Sequence, residues 1–152
     1  MQSKVTATVT LRSLCLRIKE KIDLSKQPLV AIIDDDESVR VATDSLIRSF
    51  GYIVHTFSSA EEFLRSDRLD DFACVMADVQ MSGMSGVQLQ DHLRARDYRV
   101  PFIFFTAFPD EQARAQALAA GAICYLTKPF GGDSLIQCLQ DAVKTGRLGS
   151  GR

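Results

Sequence analysis

The sequence predicts an α/β fold: five βα units forming a doubly wound, parallel, five-stranded sheet, (βα)5, in the flavodoxin-like order 2-1-3-4-5. Two observations carry this expectation. From residue 29 onward, short apolar runs alternate with stretches of helical spacing, as successive βαβ units do. The alternation repeats five times, and right-handed crossovers that cover both sheet faces then select the doubly wound arrangement.

The elements follow in order. Leu29 to Ile33 is the first strand; Val39, Ala42, Leu46 and Phe50 recur at helical spacing, and Gly51 stands where a helix C-cap belongs. Tyr52 to Phe57 is the second strand. Ser58-Ser59-Ala60-Glu61 has the form of a capping box opening a second helix, with Phe63 and Leu64 facing inward. Phe72 to Ala77 is the third strand, and a third helix after Gly86 carries Leu89 and Leu93 at i, i+4. Pro101 to Thr106 is the fourth strand, followed by an Ala-rich helix from Glu111 to Ala120 that Gly121 ends. Ala122 to Leu126 is the fifth strand. Leu135, Leu139, Ala142 and Val143 mark a closing helix that fades by Gly146.

Domain organisation follows from charge and composition. Residues 1–28 carry six Lys/Arg and two Asp/Glu, a net +4, whereas residues 29–152 carry twelve and seventeen, a net −5. The reading is therefore a basic N-terminal extension (1–28), one domain (29–145) and a short tail (146–152) with no output domain. Within the extension Leu11, Leu14, Cys15, Ile18 and Ile22 form an apolar stripe among basic residues, so it is either an amphipathic helix or a flexible segment. An acidic domain without a basic stripe is a poor binder of nucleic acid, and no direct DNA contact is expected. No stretch approaches the ~20 apolar residues of a membrane span. Cys15, Cys74, Cys124 and Cys138 form no C-x-x-C pair, and Cys74 and Cys124 lie in apolar runs, so they are expected to be small buried hydrophobes in a reducing, cytoplasmic setting. His55 and His92 have no partner at metal-ligand spacing and are expected at the surface.

In doubly wound sheets ligands sit at the carboxyl ends of the strands. Those ends here carry Asp34-Asp35-Asp36-Glu37 after the first strand, Asp78 after the third, Thr106 after the fourth and Lys128 after the fifth. Crowded carboxylates repel one another, and a hard divalent cation with oxygen ligands, here read as Mg2+, relieves that repulsion. A hydroxyl and a compact ammonium added to the acids suit a phosphoryl group held against the metal. Asp78 is then a nucleophile that forms an aspartyl phosphate. Taken singly, the acids of 34–37 fit a solvated helix N-terminus, Asp78 a loop cap, Thr106 a strand-end hydroxyl and Lys128 a surface charge. Their joint placement at neighbouring strand ends is what points to a site.

Four stretches, VAIIDDDESVR (30–40), ADVQMSGMSG (77–86), FFTA (104–107) and AGAICYLTKPF (120–130), stand in register. With them the sequence resembles the response-regulator receiver domains of bacterial two-component systems, chemotaxis-receiver-like and closest to the nitrogen-fixation regulator group. The resemblance implies that Asp78 is the phosphoacceptor, and that Asp34 and Asp35 bind Mg2+ together with Asp78 and the backbone carbonyl of Gln80. It further implies that Lys128 contacts the phosphoryl group, that Thr106 reorients toward it, that Tyr125 is the aromatic switch, and that Lys128-Pro129 is a cis peptide. The implied partners are a sensor histidine kinase or phosphotransfer protein, and a downstream protein or a second copy bound through the fourth helix, fifth strand and fifth helix.

Three departures accompany the resemblance. Ser82 and Gly83 stand where many relatives have Pro-Gly or Pro-Asp, which is expected to loosen the loop without removing chemistry. Asp36 is an additional acid without an assigned role. Gln80 and Phe108 occupy positions that tune phosphoryl lifetime in the family. An alternative from another class is a haloacid-dehalogenase-like phosphatase with Asp34 as nucleophile and Asp36 as acid/base, although neither a cap insertion nor a late paired-acid motif accompanies that Asp34-x-Asp36 pattern.

Overall fold

The structure is a computed structural model and describes residues 27–149, with side chains through Gly146. The basic extension through Lys26, including its apolar stripe and Cys15, lies outside the described residues. Five parallel strands, β1 (Leu29–Ile33), β2 (Ile53–Phe57), β3 (Phe72–Asp78), β4 (Phe102–Thr106) and β5 (Cys124–Thr127), form one sheet in the order β2-β1-β3-β4-β5. The helices are α1 (Glu37–Ser49), α2 (Ala60–Leu64), α3 (Gly86–Ala95), α4 (Glu111–Ala119) and α5 (Gly132–Gly149), with a short 3-10 turn at Leu69–Asp71.

Side chains alternate across a strand, so each central strand feeds two cores. Ala31, Ile33, Val75, Ala77 and Phe104 face a cluster with Phe63, Leu89, Leu93 and Ala117 of α2, α3 and α4. Val30, Ile32, Met76, Ile103 and Phe105 face the other, with Ile47 of α1 and Leu135, Leu139 and Ala142 of α5. Burial on both faces is why β1, β3 and β4 appear in the sequence as unbroken apolar runs. The same architecture brings their carboxyl ends together at one rim.

Strand ends fall within two residues of expectation, the fifth strand being displaced furthest, to Cys124–Thr127, and local signals differ more substantially in three places. The capping box at α2 is shifted by one residue: Ser59 caps the helix by accepting from the Glu62 amide at 3.0 Å, and Glu62 accepts from the Ser58 amide at 2.7 Å. Glu61 is thereby released to reach the loop after β3, where it accepts from the Met84 amide at 2.9 Å. The closing helix continues to Gly149, past Gly146. A Cβ at Gly146 would lie 3.2 Å from the Ala73 carbonyl, so the glycine serves close approach of helix to sheet, and does not end the helix. Finally, Cys124 and Cys138 are joined by a disulfide, with Cα atoms 6.1 Å apart. The expectation of unpaired, reduced thiols thus fails for these two; β5 places Cys124 opposite the inward stripe of α5, a juxtaposition that linear spacing conceals. Cys74 is free and fully buried, and burial pushes its thiol pKa far upward.

Candidate functional site

β1 ends one residue before Asp34, and β3 ends on Asp78 itself. Because β1 and β3 are hydrogen-bonded neighbours, their terminal acids meet: carboxylate oxygens of Asp34, Asp35 and Asp78 lie within 4.8 Å of one another. Asp34 is fully enclosed and Asp78 only 7% exposed, whereas Asp35 opens to solvent. Lys128, carried one residue past β5, reaches across the rim and donates to both enclosed acids, to Asp34 Oδ2 at 3.0 Å and to Asp78 Oδ2 at 2.9 Å. Its ammonium also stands 4.8 Å from the Phe105 ring centroid. The Lys128-Pro129 bond is cis, as the resemblance implied.

The electrostatics follow from this enclosure. Burial raises the Asp34 pKa above the ordinary carboxylate range; its hydrogen bonds from the Asp36 amide and Lys128 oppose the rise without cancelling it. Burial alone would lower the Lys128 pKa, but its hydrogen bonds to Asp78 and Asp34 outweigh that and hold it above the usual lysine value. The site is therefore a triad of acids with one cation already placed among them.

Backbone amides fix the acids from below. The Gln80 amide donates to Asp78 Oδ1 at 2.9 Å, which leaves Oδ2 on the side facing Lys128. Asp36 is the N-cap of α1 and accepts from the Val39 amide at 3.2 Å. That bond accounts for the additional acid and turns it toward the helix start, away from the acid/base role a phosphatase would need. Arg40 donates to the Asp34 carbonyl at 2.7 Å.

Ser82 corrects an expectation. Its amide donates to Asp35 Oδ2 at 3.0 Å and its hydroxyl lies 3.3 Å from the same oxygen. A proline has no amide hydrogen to offer. Serine thus ties the loop to the acidic pair instead of loosening it, while Gly83 takes a positive φ of 80° and Met81 and Met84 pack against the core.

Thr106 is buried, and its hydroxyl engages the backbone of Phe108, accepting from the amide at 3.0 Å. Phe108 itself is 70% exposed at the rim. The Tyr125 hydroxyl is shielded and lies toward the Asp110 backbone without closing a well-formed hydrogen bond; burial raises its pKa. His55 and His92 are half-buried and lie outside the acidic cluster; His55 contacts Arg68 at 3.1 Å and the edge of Phe72. The contacts of Ser82, Glu61 and Arg40 are those that sequence reasoning missed, because each joins residues whose proximity only the folded chain creates.

Comparisons with known proteins bear on the family and the fold. The response regulator receiver domain family matches residues 30–140. The transcriptional regulatory protein TdiR of Thauera aromatica is 38% identical over 78% of this chain and 52% of its own length. A response regulator receiver protein from Burkholderia phymatum is 40% identical, with a TM-score of 0.67 over 78% of this chain and 96% of that one. The response regulator StyR is 37% identical, with a TM-score of 0.74 over 80% of this chain and 61% of that one. The chain spans about half the length of the curated relatives it matches.

The chain belongs to the response-regulator receiver family, the signalling modules of two-component systems. The phosphatase alternative finds no support in these likenesses, and the closeness to nitrogen-fixation receivers is minor among them. Among the described residues no helix is long and apolar enough to cross a membrane.

Proposed function

We propose that Asp78 accepts a phosphoryl group from a sensor histidine kinase or a phosphotransfer protein. The observation that supports this most directly is the pairing of Lys128 with Asp78 Oδ2 at 2.9 Å, beside two further acids. An oxygen of Asp78 attacks phosphorus as the bond to the donor's nitrogen or oxygen breaks, and the electron pair of that bond leaves with the donor. Gln80 holds Oδ1 and leaves the opposite oxygen to react. Lys128, already drawn to that oxygen, stays with the incoming negative charge.

Three oxygen-rich acids within reach of one another suit a hard divalent cation, and Asp34, Asp35 and Asp78, with the Gln80 carbonyl, would hold Mg2+. When bound, Mg2+ supplies charge neutralisation at the transferring oxygens. Thr106 exchanges its Phe108 contact for the phosphoryl group, and Tyr125, lacking a settled partner for its hydroxyl, is free to change position with it. The surface biased by that movement is α4, β5 and α5, where a downstream protein or a second copy binds. The chain acts as a switch whose chemistry is confined to its own phosphorylation and dephosphorylation, in the cytoplasm and without direct nucleic-acid contact.

The test is intact mass after incubation with Mg2+ and acetyl phosphate. Wild type gains one phosphoryl group and Asp78→Asn gains none. Equal modification of both proteins would overturn the assignment, as would a wild type that stays unmodified with every donor tried.

A further inference from the structure

The Cys124–Cys138 pair is unused by the phosphoacceptor chemistry, yet it brackets Lys128 and Tyr125. The two residues are 14 apart, and the segment between them contains Tyr125, Lys128, the cis peptide to Pro129, and Phe130. One cysteine sits on β5 and the other on α5. Their Cα separation of 6.1 Å lies within the range a disulfide spans without backbone movement. Cys138 is buried and Cys124 only partly so, at the edge of the α1–α5 core, so Cys124 is the less enclosed of the two.

We propose that Cys124 and Cys138 form a reversible redox modification site that tethers β5 to α5 and restrains the Tyr125–Phe130 segment. The oxidant is a low-molecular-weight disulfide. The Cys124 thiolate attacks one of its sulfurs, that S–S bond breaks, and one thiolate leaves. The Cys138 thiolate then attacks the Cys124 sulfur of the mixed disulfide, the internal S–S bond forms, and the second thiolate leaves. Two protein thiols are oxidised and one small disulfide is reduced to two thiols. The tether fixes both ends of the segment that must adjust when Lys128 follows a new charge, so the oxidised form takes up phosphoryl more slowly. Only this last effect rests on the assigned roles of Lys128 and Asp78.

The test equilibrates the full chain in glutathione buffers of varied oxidised-to-reduced ratio, then alkylates it under denaturing conditions and weighs it. Oxidation is expected to protect two of the four cysteines. Chymotryptic cleavage after Phe130 should then leave the Cys124 and Cys138 peptides linked until dithiothreitol is added. Four alkylated thiols at every ratio, a persistent glutathione adduct, or linkage through Cys15 or Cys74 would each overturn the site.

Hydrogen exchange of the Leu126, Thr127, Lys128 and Phe130 amides reads the restraint, with slowing of about fivefold expected, the low end of coupling between linked sites. Unchanged exchange in a protein shown to be oxidised would overturn it. Phosphorylation by acetyl phosphate should slow by a similar factor, recover with dithiothreitol, and be indifferent to redox state in Cys138→Ser. Equal rates in oxidised and reduced wild type would sink the effect on uptake. A protein phosphorylated in neither state would instead overturn the phosphoacceptor reading, with mass and exchange still deciding the tether.

Discussion

Asp34 is the carboxylate whose ionisation the fold opposes most clearly, since it is fully enclosed and shares its pocket with a second carboxylate. Burial raises its folded pKa above the ordinary value of 3.8. The sign follows: the folded state holds this proton more tightly than the unfolded one, so the stabilising contribution is present below the ordinary value and is lost as pH rises through the raised folded value. At neutral pH the ionised side chain is therefore a burden on the apo protein. Asp34→Asn keeps an oxygen to accept from the Asp36 amide and removes the buried charge. Without divalent ions at pH 7 the variant should unfold a few degrees above wild type, from a change on the order of 1 kcal/mol in a domain of this size. The advantage should vanish in strong acid, where wild type is also neutral. Thermal melts followed by circular dichroism across pH check this, and a lower midpoint for the variant at pH 7 would contradict it.

The junction of β3 and α3 is the element whose geometry matters most to Asp78. Ser85 caps α3 through a complete capping box with Gln88. The first helical residue, Gly86, lies so close to the strand end that an added Cβ would stand 2.5 Å from the Asp78 carbonyl and 3.1 Å from the Phe104 ring. Backbone and a buried ring cannot both give way. Gly86→Ala should cost roughly 1–3 kcal/mol by overpacking, and Ser85→Ala about 1 kcal/mol by loss of the cap. Urea midpoints with unchanged slopes would measure both, and only Gly86→Ala should also slow phosphorylation, because it alone displaces the residue carrying the acceptor. The sequence shows this junction only in part. The apolar run, Asp78 and the Leu89–Leu93 stripe are legible because strand and helix periodicities act locally, and topology converts strand ends into neighbours. The cap at Ser85 is locally encoded but competes with the many Ser and Gly residues around it. The Ser82–Asp35 bond joins residues 47 apart, and the bond from Cys124 to Cys138 depends on how α5 crosses the sheet. No periodicity encodes such contacts, which exist only once the rim has been assembled.

At the scale of the molecule, the fold uses two well-packed cores to hold an unfavourable charge arrangement at one edge. Three acids within 4.8 Å are balanced by a single ammonium, so the rim carries excess negative charge in a partly enclosed space. A divalent cation that binds the folded rim and not the unfolded chain must then stabilise the whole domain by mass action. At a concentration one hundred times its dissociation constant the gain is about 2.7 kcal/mol, or roughly ten degrees for a domain of about this size. Mg2+ should raise the melting temperature of wild type by that order, in proportion to the logarithm of its concentration once above the dissociation constant, whereas KCl at matched ionic strength should do little. Asp35→Asn removes the acid most open to solvent and should flatten the Mg2+ dependence while leaving the metal-free melt nearly unchanged. Asp34→Asn should flatten it too, but from a higher metal-free starting point, because the charge it removes is a buried one. The paired outcome separates a cation site from general screening: screening would shift all three proteins alike with either salt, and that result would remove the acids' claim to the metal.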